Sequence, residues 1–313
     1  MRRTETARIV SALTSWRWLV AAVLLLALSG VNADSAAAAQ SGTVAVYLGR
    51  EIAPYVAMVE GLEAALSPQP VERVFLDAAG RPYSLSGNAD LNPQNYRALV
   101  AVGPRALDFL LPRAKTVPLL FGMVMNPAAL DAARDDLCGV SLNLPIAGQL
   151  TAIRKQLPAV QRLGVLYDPA NNQSWFARAT DLAATLPEFQ LVPLPVTSRA
   201  ERLNIVADFS AVDALLFIPD KTIISQAVIR YVIEQAFLRR LPVVGYNQFF
   251  LDSGAALGFV IDYRQVGRQV AGRLSGLLSG QTCGGIRPPQ FDVKRNPDVF
   301  RALLRLDQPG GSP

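Results

Sequence analysis

The chain has no histidine. That absence removes Ser–His–Asp and Cys–His nucleophilic schemes, zinc held by imidazole, and any switch built on a side chain that titrates near neutrality. Cysteine is almost as scarce. Cys138 and Cys283 are the only two, far apart and outside any Cys-x-x-Cys pair, and both a disulfide and two buried thiols fit that count. There is no Gly-x-Gly-x-x-Gly, no P-loop and no Gly-x-Ser-x-Gly. Asp and Glu do not cluster at metal-ligand spacing, and no motif supports a glycosidase-like carboxylate pair. No cofactor, no metal and no catalytic residue is therefore expected, and the chain reads as a non-enzyme. Basic residues form no run and are not interleaved with aromatics, so nucleic acid is not an expected partner.

What is present begins with an N-terminal targeting pattern. Arg2, Arg3, Arg8 and Arg17 form a basic region, and an apolar core follows from Leu19 to Leu28. That core spans about ten residues, against about 20 for a comfortable membrane span. Ala-x-Ala patterns end near Ala39, with a weaker cut site after Ala33. Residues 1–39 are expected to be a cleaved signal peptide, the alternative being an uncleaved anchor helix. Its removal takes away four Arg and two acids (Glu5 and Asp34), lowering the formal charge from +5 to +3. The expected location is periplasmic. The remaining length suits two lobes better than one, and with 51% hydrophobic residues the cores can be substantial.

Strand and helix patterns alternate almost throughout, which argues for an α/β chain with parallel sheets covered by helices. Strands are expected at 43–48, 71–76, 96–102, 117–125, 138–142, 163–167, 190–195, 214–218 and 243–246. Helices are expected at 54–66, 106–111, 127–133, 145–157, 175–186, 199–209, 225–239, 265–278 and 297–306. Residues 255–261 and 291–293 read as extended, and 78–91 as loop.

In such sheets ligands sit beyond the carboxyl ends of the strands, where helix N-termini offer free N–H groups. The positions to watch are Gly49-Arg50-Glu51, Gly103-Pro104-Arg105 and Met125-Asn126 in the first half. In the second half they are Asp168 to Ser174, Asp220-Lys221 and Tyr246-Asn247. Plainer roles compete: Gly103 as a turn requirement, Asn172 and Ser174 as helix caps, Asp220 paired with Lys221, Trp175 and Phe249-Phe250 as packing. The mixture of amides, hydroxyls and a few charges suits holding a small organic ligand better than breaking a bond.

The order Gly139-Val140-Ser141, Gln149-Leu150, Leu157-Pro158, Arg162 to Tyr167, then Asn172 and Ser174, resembles the ABC-transporter substrate-binding proteins of the tryptophan/tyrosine-binding type. Leu99 to Gly103, Pro118 to Phe121, Val212 to Ala214 with Asp220, and Gly254-Ala255 with Asp262-Tyr263 extend the likeness over most of 42–280. The resemblance implies a type I periplasmic binding protein fold, two Rossmann-like lobes with a ligand in the cleft between them. It places lobe 1 at 42–144 plus 258–282 and lobe 2 at 145–257 plus 283–306. It implies a protein that closes on a small molecule by hinge motion and passes it to a membrane ABC permease; a monomer is expected. It puts Cys138 and Cys283 on one lobe or hinge side, which favours the disulfide. Under it, Arg50, Arg105 or Ser174 would hold a carboxylate or other polar head. Asp220 and Asn247 would orient the opposite side, and Met123, Met125 and Trp175 would line an apolar portion. The chain departs from the family at Pro104-Arg105 and at Asn126-Pro127, where Asp-Pro is common. An amino-acid ligand whose amine pairs with that Asp is therefore less well supported, and an apolar, lipid-like ligand is an alternative. A periplasmic sensor signalling to a membrane receptor is another.

Overall fold

A computed structural model describes residues 41–306 apart from 89, 127–136, 198–204 and 224. The expected signal peptide, the helix expected at 127–133 and the start of the one expected at 199–209 lie outside the described residues. The first sheet takes β1 (Ser41–Leu48), β2 (Val71–Leu76), β3 (Pro82–Ser84), β4 (Tyr96–Val102), β5 (Leu119–Val124), β6 (Cys138–Ser141) and β12 (Ile286–Arg287), in the order β12-β6-β5-β4-β1-β2-β3. The second takes β7 (Arg162–Tyr167), β8 (Gln190–Pro195), β9 (Ala214–Phe217), β10 (Val243–Gly245), β11 (Leu257–Val260) and β13 (Asp292–Arg295), in the order β13-β11-β10-β9-β7-β8. Every pairing is parallel except β3 on β2 and β13 on β11.

The near-continuous apolar runs of the central strands are what a sheet covered on both faces requires. In β1, Val44, Val46 and Leu48 point to a core shared with α1 (Ala53–Leu66) and α7 (Tyr263–Leu278). Ala45 and Tyr47 point to the other face, under α2 (Pro104–Leu110). The second sheet repeats the arrangement. Leu163, Val165 and Tyr167 pack with α3 (Ile146–Gln156), α4 (Pro169–Ala183) and α8 (Pro297–Leu306). Leu166, Leu215 and Phe217 pack with α5 (Gln226–Leu238) and α6 (Gln248–Asp252). Trp175, Phe249 and Phe250 all join these cores. Cys138 and Cys283 are joined by a disulfide with a Cα–Cα distance of 5.8 Å.

Several boundaries differ from those expected. Helix α4 begins at Pro169 and is kinked at Asn172 (φ −129°, ψ 15°), so the polar stretch up to Ser174 is mostly helix and not open loop. The Asp168 carboxylate caps the Ala170 N–H at 2.9 Å and Pro169 fills the first helical position, which outweighs the poor helix propensity of Asn171, whereas Asn172 leaves helical dihedrals and kinks the helix. Residues 205–211 form a 3₁₀ helix. The supposed loop at 78–91 contains β3, and α6 was not foreseen. The lobe limits also shift. Leu257–Val260 pairs with β10 and β13 in the second sheet, and Ile286–Arg287 pairs with β6 in the first. The chain thus returns to the first lobe after Val260 rather than at 258, and leaves it after Arg287 rather than at 282.

Candidate functional site

Three crossovers join the lobes, and the topology fixes which edges they touch. The first leaves the carboxyl end of β6 at Ser141, and the second leaves the carboxyl end of β11 at Val260. The third leaves the carboxyl end of β12 and enters β13 with Asp292 opposite Val260. The carboxyl edges of both sheets are therefore turned toward the crossovers.

On the first edge, Arg50 is exposed just past β1. Gly103 has φ 85°, and a Cβ there would lie 2.2 Å from the Tyr55 hydroxyl, so only glycine fits between β4 and α2. Pro104 opens α2 and supplies no N–H. Arg105 donates to the Asp77 and Ala78 carbonyls, the latter at 2.8 Å, so its guanidinium is tied to the loop after β2. Met123 has φ 62° where β5 slips register against β6. That bulge turns its side chain into the first-lobe core, where it is only 3% exposed and lines no open surface. Met125 is 46% exposed, and Ile52 near Arg50 is 42% exposed. Asn126 has φ 49° and donates its N–H to Asn143 Oδ1 at 3.0 Å, in the first crossover. Strained backbone of this kind concentrates at functional sites.

On the second edge a hydrogen-bonded cage has formed. Asp220 is 2% exposed. Its carboxylate accepts from the Asp168 N–H at 2.8 Å, the Thr222 N–H at 2.9 Å and Asn172 Nδ2 at 2.7 Å. The Thr222 hydroxyl donates to Asp168 at 2.6 Å, and Asn171 Nδ2 reaches Thr222 Oγ1 at 3.0 Å. Asp220 and Asn172 thus hold the loop after β9 against the start of α4 and do not reach outward as free ligand groups. Ser174 remains exposed on α4. Asn247 precedes α6 without capping it, and its Oδ1 is buried with no hydrogen-bond partner among the described residues. Spacing alone pointed to neither Asp168, Asn171 and Thr222 as one cage nor to Tyr55 and Asn143; the Asp168-Pro169 cap signal was the one legible clue.

Asp220→Ala removes several charge-assisted bonds at once and strands the buried Asp168 N–H. A loss of about 3 kcal/mol is expected, read as a lowered urea midpoint, with Asp220→Asn losing less.

The electrostatics set two ends of a pH window. Hydrogen bonds from Thr222 and then Ala170 hold Asp168 below the usual carboxylate range. Its stabilisation is present above the unfolded pKa and is lost as pH falls through the lower folded one. Burial, helped by the charge of Asp220, pushes the Tyr246 phenol up to about 12. That contribution is complete below an unfolded pKa of about 10 and disappears as pH rises toward about 12. Urea midpoints taken from pH 8 to 12 are expected to fall across that interval, and Tyr246→Phe, which keeps the ring against Phe250, to fall less.

Two three-layer α/β lobes, joined by three crossovers at their carboxyl edges, define the type I periplasmic binding protein fold. Residues 44–300 match the family described as ABC transporter substrate binding protein, and the chain belongs to that family. A ligand-free, open substrate binding protein with adhesive properties from Clostridium difficile superposes with a TM-score of 0.68 at 17% identity, covering 86% of this chain and 96% of that one. An ABC domain from Streptococcus pneumonia in complex with L-Trp gives a TM-score of 0.55 at 18% identity, covering 83% and 94%. A conserved domain protein from Vibrio cholerae gives 0.55 at 23%, with the same coverages. No curated protein matches the chain. Among the described residues no helix is long and apolar enough to cross a membrane.

Proposed function

We propose that the mature chain is a monomeric periplasmic solute-binding protein that captures a small organic ligand between the two carboxyl edges and delivers it to a membrane ABC permease. The observation that carries this reading is the unpartnered Asn247 Oδ1 on the second edge, a buried acceptor left for a ligand donor. Arg50 and Ser174, both exposed, are the groups assigned to a polar or anionic head. Gly103 and Pro104 shape the first edge beside them, and Asn126 borders it at the crossover. Arg105 and Asp220 act behind this surface, as supports.

A second reading has its own support. Met125 and Ile52 expose apolar surface on the first edge, which favours a ligand with a substantial apolar portion. A thermal-shift screen of the mature protein with amino acids, aromatic and aliphatic carboxylic acids and lipids separates the two. A ligand present at 100 times its Kd stabilises by about 2.7 kcal/mol, well within detection. With the ligand found, Asn247→Ala is expected to weaken binding about tenfold by calorimetry and to leave the ligand-free melting temperature unchanged or raised. Undiminished binding by Asn247→Ala would remove that residue from the site.

A further inference from the structure

Helix α7 carries one face that the first-lobe core does not use. Arg268, Gly272 and Gly276 recur along it every four residues, with Arg273 beside them. Thr282 and Arg287 stand across from them, on the segment leading into β12 and on β12 itself. A groove of about 380 Å³ lies between the two runs. Glycine keeps it open, since a Cβ added at Gly272 would meet nothing within 4 Å. None of the residues assigned to the interlobe cleft lines it.

The charge of this groove has one sign. Three arginines line it and no carboxylate does. Arg268 has a counter-charge in Asp262 at 3.3 Å. Arg273 and Arg287 have none among the described residues. Arg273 Nη2 donates to the Cys283 and Gly285 carbonyls and lies 3.3 Å from Cys283 Sγ. Its Nη1 donates to none of the described residues, and its Nε is buried with no partner. Burial, and then the charge of Arg287, holds the Arg273 pKa below its ordinary value, so the two guanidinium groups repel each other. A half-buried charge facing a like charge with no counterion is costly. An anion with several acceptor oxygens, set between the two guanidinium forks, relieves both costs.

We propose that the groove between α7 and β12 is a second binding site, for a phosphate-bearing anion held between Arg273 and Arg287 with the Thr282 hydroxyl as a further donor. A phosphate group carries about −1.5 to −2 charges at neutral pH and three acceptor oxygens, enough to face both guanidinium groups at once. A carboxylate brings one charge. The bound anion links α7 to β12, a strand that pairs with β6 through only Ile286–Gly139 and Arg287–Val140. The site is built from the first lobe alone, so it stands or falls separately from the reading of what the cleft carries.

Inorganic phosphate, titrated by calorimetry into the full mature chain at an ionic strength fixed with chloride, is the first probe. Saturable binding is expected, weakened about tenfold in Arg287→Ala and less in Arg287→Lys. The Arg287 side chain is exposed, so the ligand-free melting temperature of Arg287→Ala is expected to match the wild type. Arg178→Ala, which removes an exposed charge from α4 of the second lobe, is expected to bind phosphate as the wild type does. Phosphatidylglycerol vesicles identify the source of the phosphate group. Sedimentation of the wild type with them, but not of Arg287→Ala, assigns a lipid headgroup; saturable phosphate binding without sedimentation assigns a soluble phosphate compound. Equal phosphate affinity in Arg287→Ala overturns the proposal, as does the absence of both phosphate binding and Arg287-dependent sedimentation. Phosphate binding abolished by Arg50→Ala would put the anion in the cleft and overturn it too.

Discussion

Gly267→Leu is expected to prevent the first lobe from folding. Helices α1 and α7 lie side by side on one face of the first sheet, and they touch backbone to backbone at Gly61 and Gly267. A Cβ at Gly267 would fall 2.0 Å from the Met58 carbonyl oxygen and 2.6 Å from the Leu62 nitrogen; one at Gly61 would fall 2.1 Å from the Arg264 oxygen. These obstacles are main chain, which no rotamer change moves aside. A leucine must therefore drive the helices apart and strip cover from Met58, Leu62, Val266 and Val270, all fully buried. Overpacking typically costs about 1–3 kcal/mol where side chains can adjust. Here they cannot, and a loss of about 5 kcal/mol would consume the whole stability of many domains. Gly272 on the same helix is the control. A Cβ there meets nothing within 4 Å, so Gly272→Ala is expected to stabilise by up to about 1 kcal/mol. Circular dichroism and urea unfolding of the two variants, made side by side, check both outcomes.

The second large effect concerns the disulfide. Cys138 opens β6 and Cys283 lies 145 residues later, between α7 and β12. A loop this long contributes about 5 kcal/mol in the chain-entropy account. The expected result is a urea midpoint far lower for Cys138→Ala/Cys283→Ala than for the oxidised protein, with the reduced wild type close to the double variant. The loss should be largest around 279–291, because β12 pairs with β6 through only Ile286–Gly139 and Arg287–Val140. Arg273 braces the same corner by donating to the Cys283 and Gly285 carbonyls. Burial, with Arg287 nearby, lowers the Arg273 pKa from its ordinary value. A double variant with an unchanged midpoint would mean that β12 and Arg273 hold this corner without the bond.

How much of this was legible beforehand depended on the range of the interaction involved. The apolar runs of β1, β4 and β5 and the spacing of Ile146, Leu150 and Ile153 are local signals, and the strand–helix alternation follows from them. The start of α4 was misread because Asn171, Asn172 and Ser174 are weak helix formers, while the decisive cap came from Asp168 just before them. Helix α6 and strand β3 are five and three residues long, too short to show a period. The cage around Asp220 was invisible because its partners on α4 stand 48 and 49 residues away in sequence. The bulge that buries Met123 arises from register against β6, which no spacing within β5 reveals. Arg105 looked free for the same reason, its acceptors being 27 and 28 residues distant.

The crossing pattern also has a consequence in time. Neither lobe is one continuous stretch of chain: the path visits the first sheet, the second, the first again and the second again. A chain emerging N-terminus first delivers β1 to β6 long before α7, yet α7 fills the same face as α1. Until residue 278 is out, one face of the first sheet is covered by α1 alone, and until β13 arrives the second sheet keeps an open edge at β11. Both lobes thus reach completion together, near the end of synthesis. Such late, non-local assembly folds slowly.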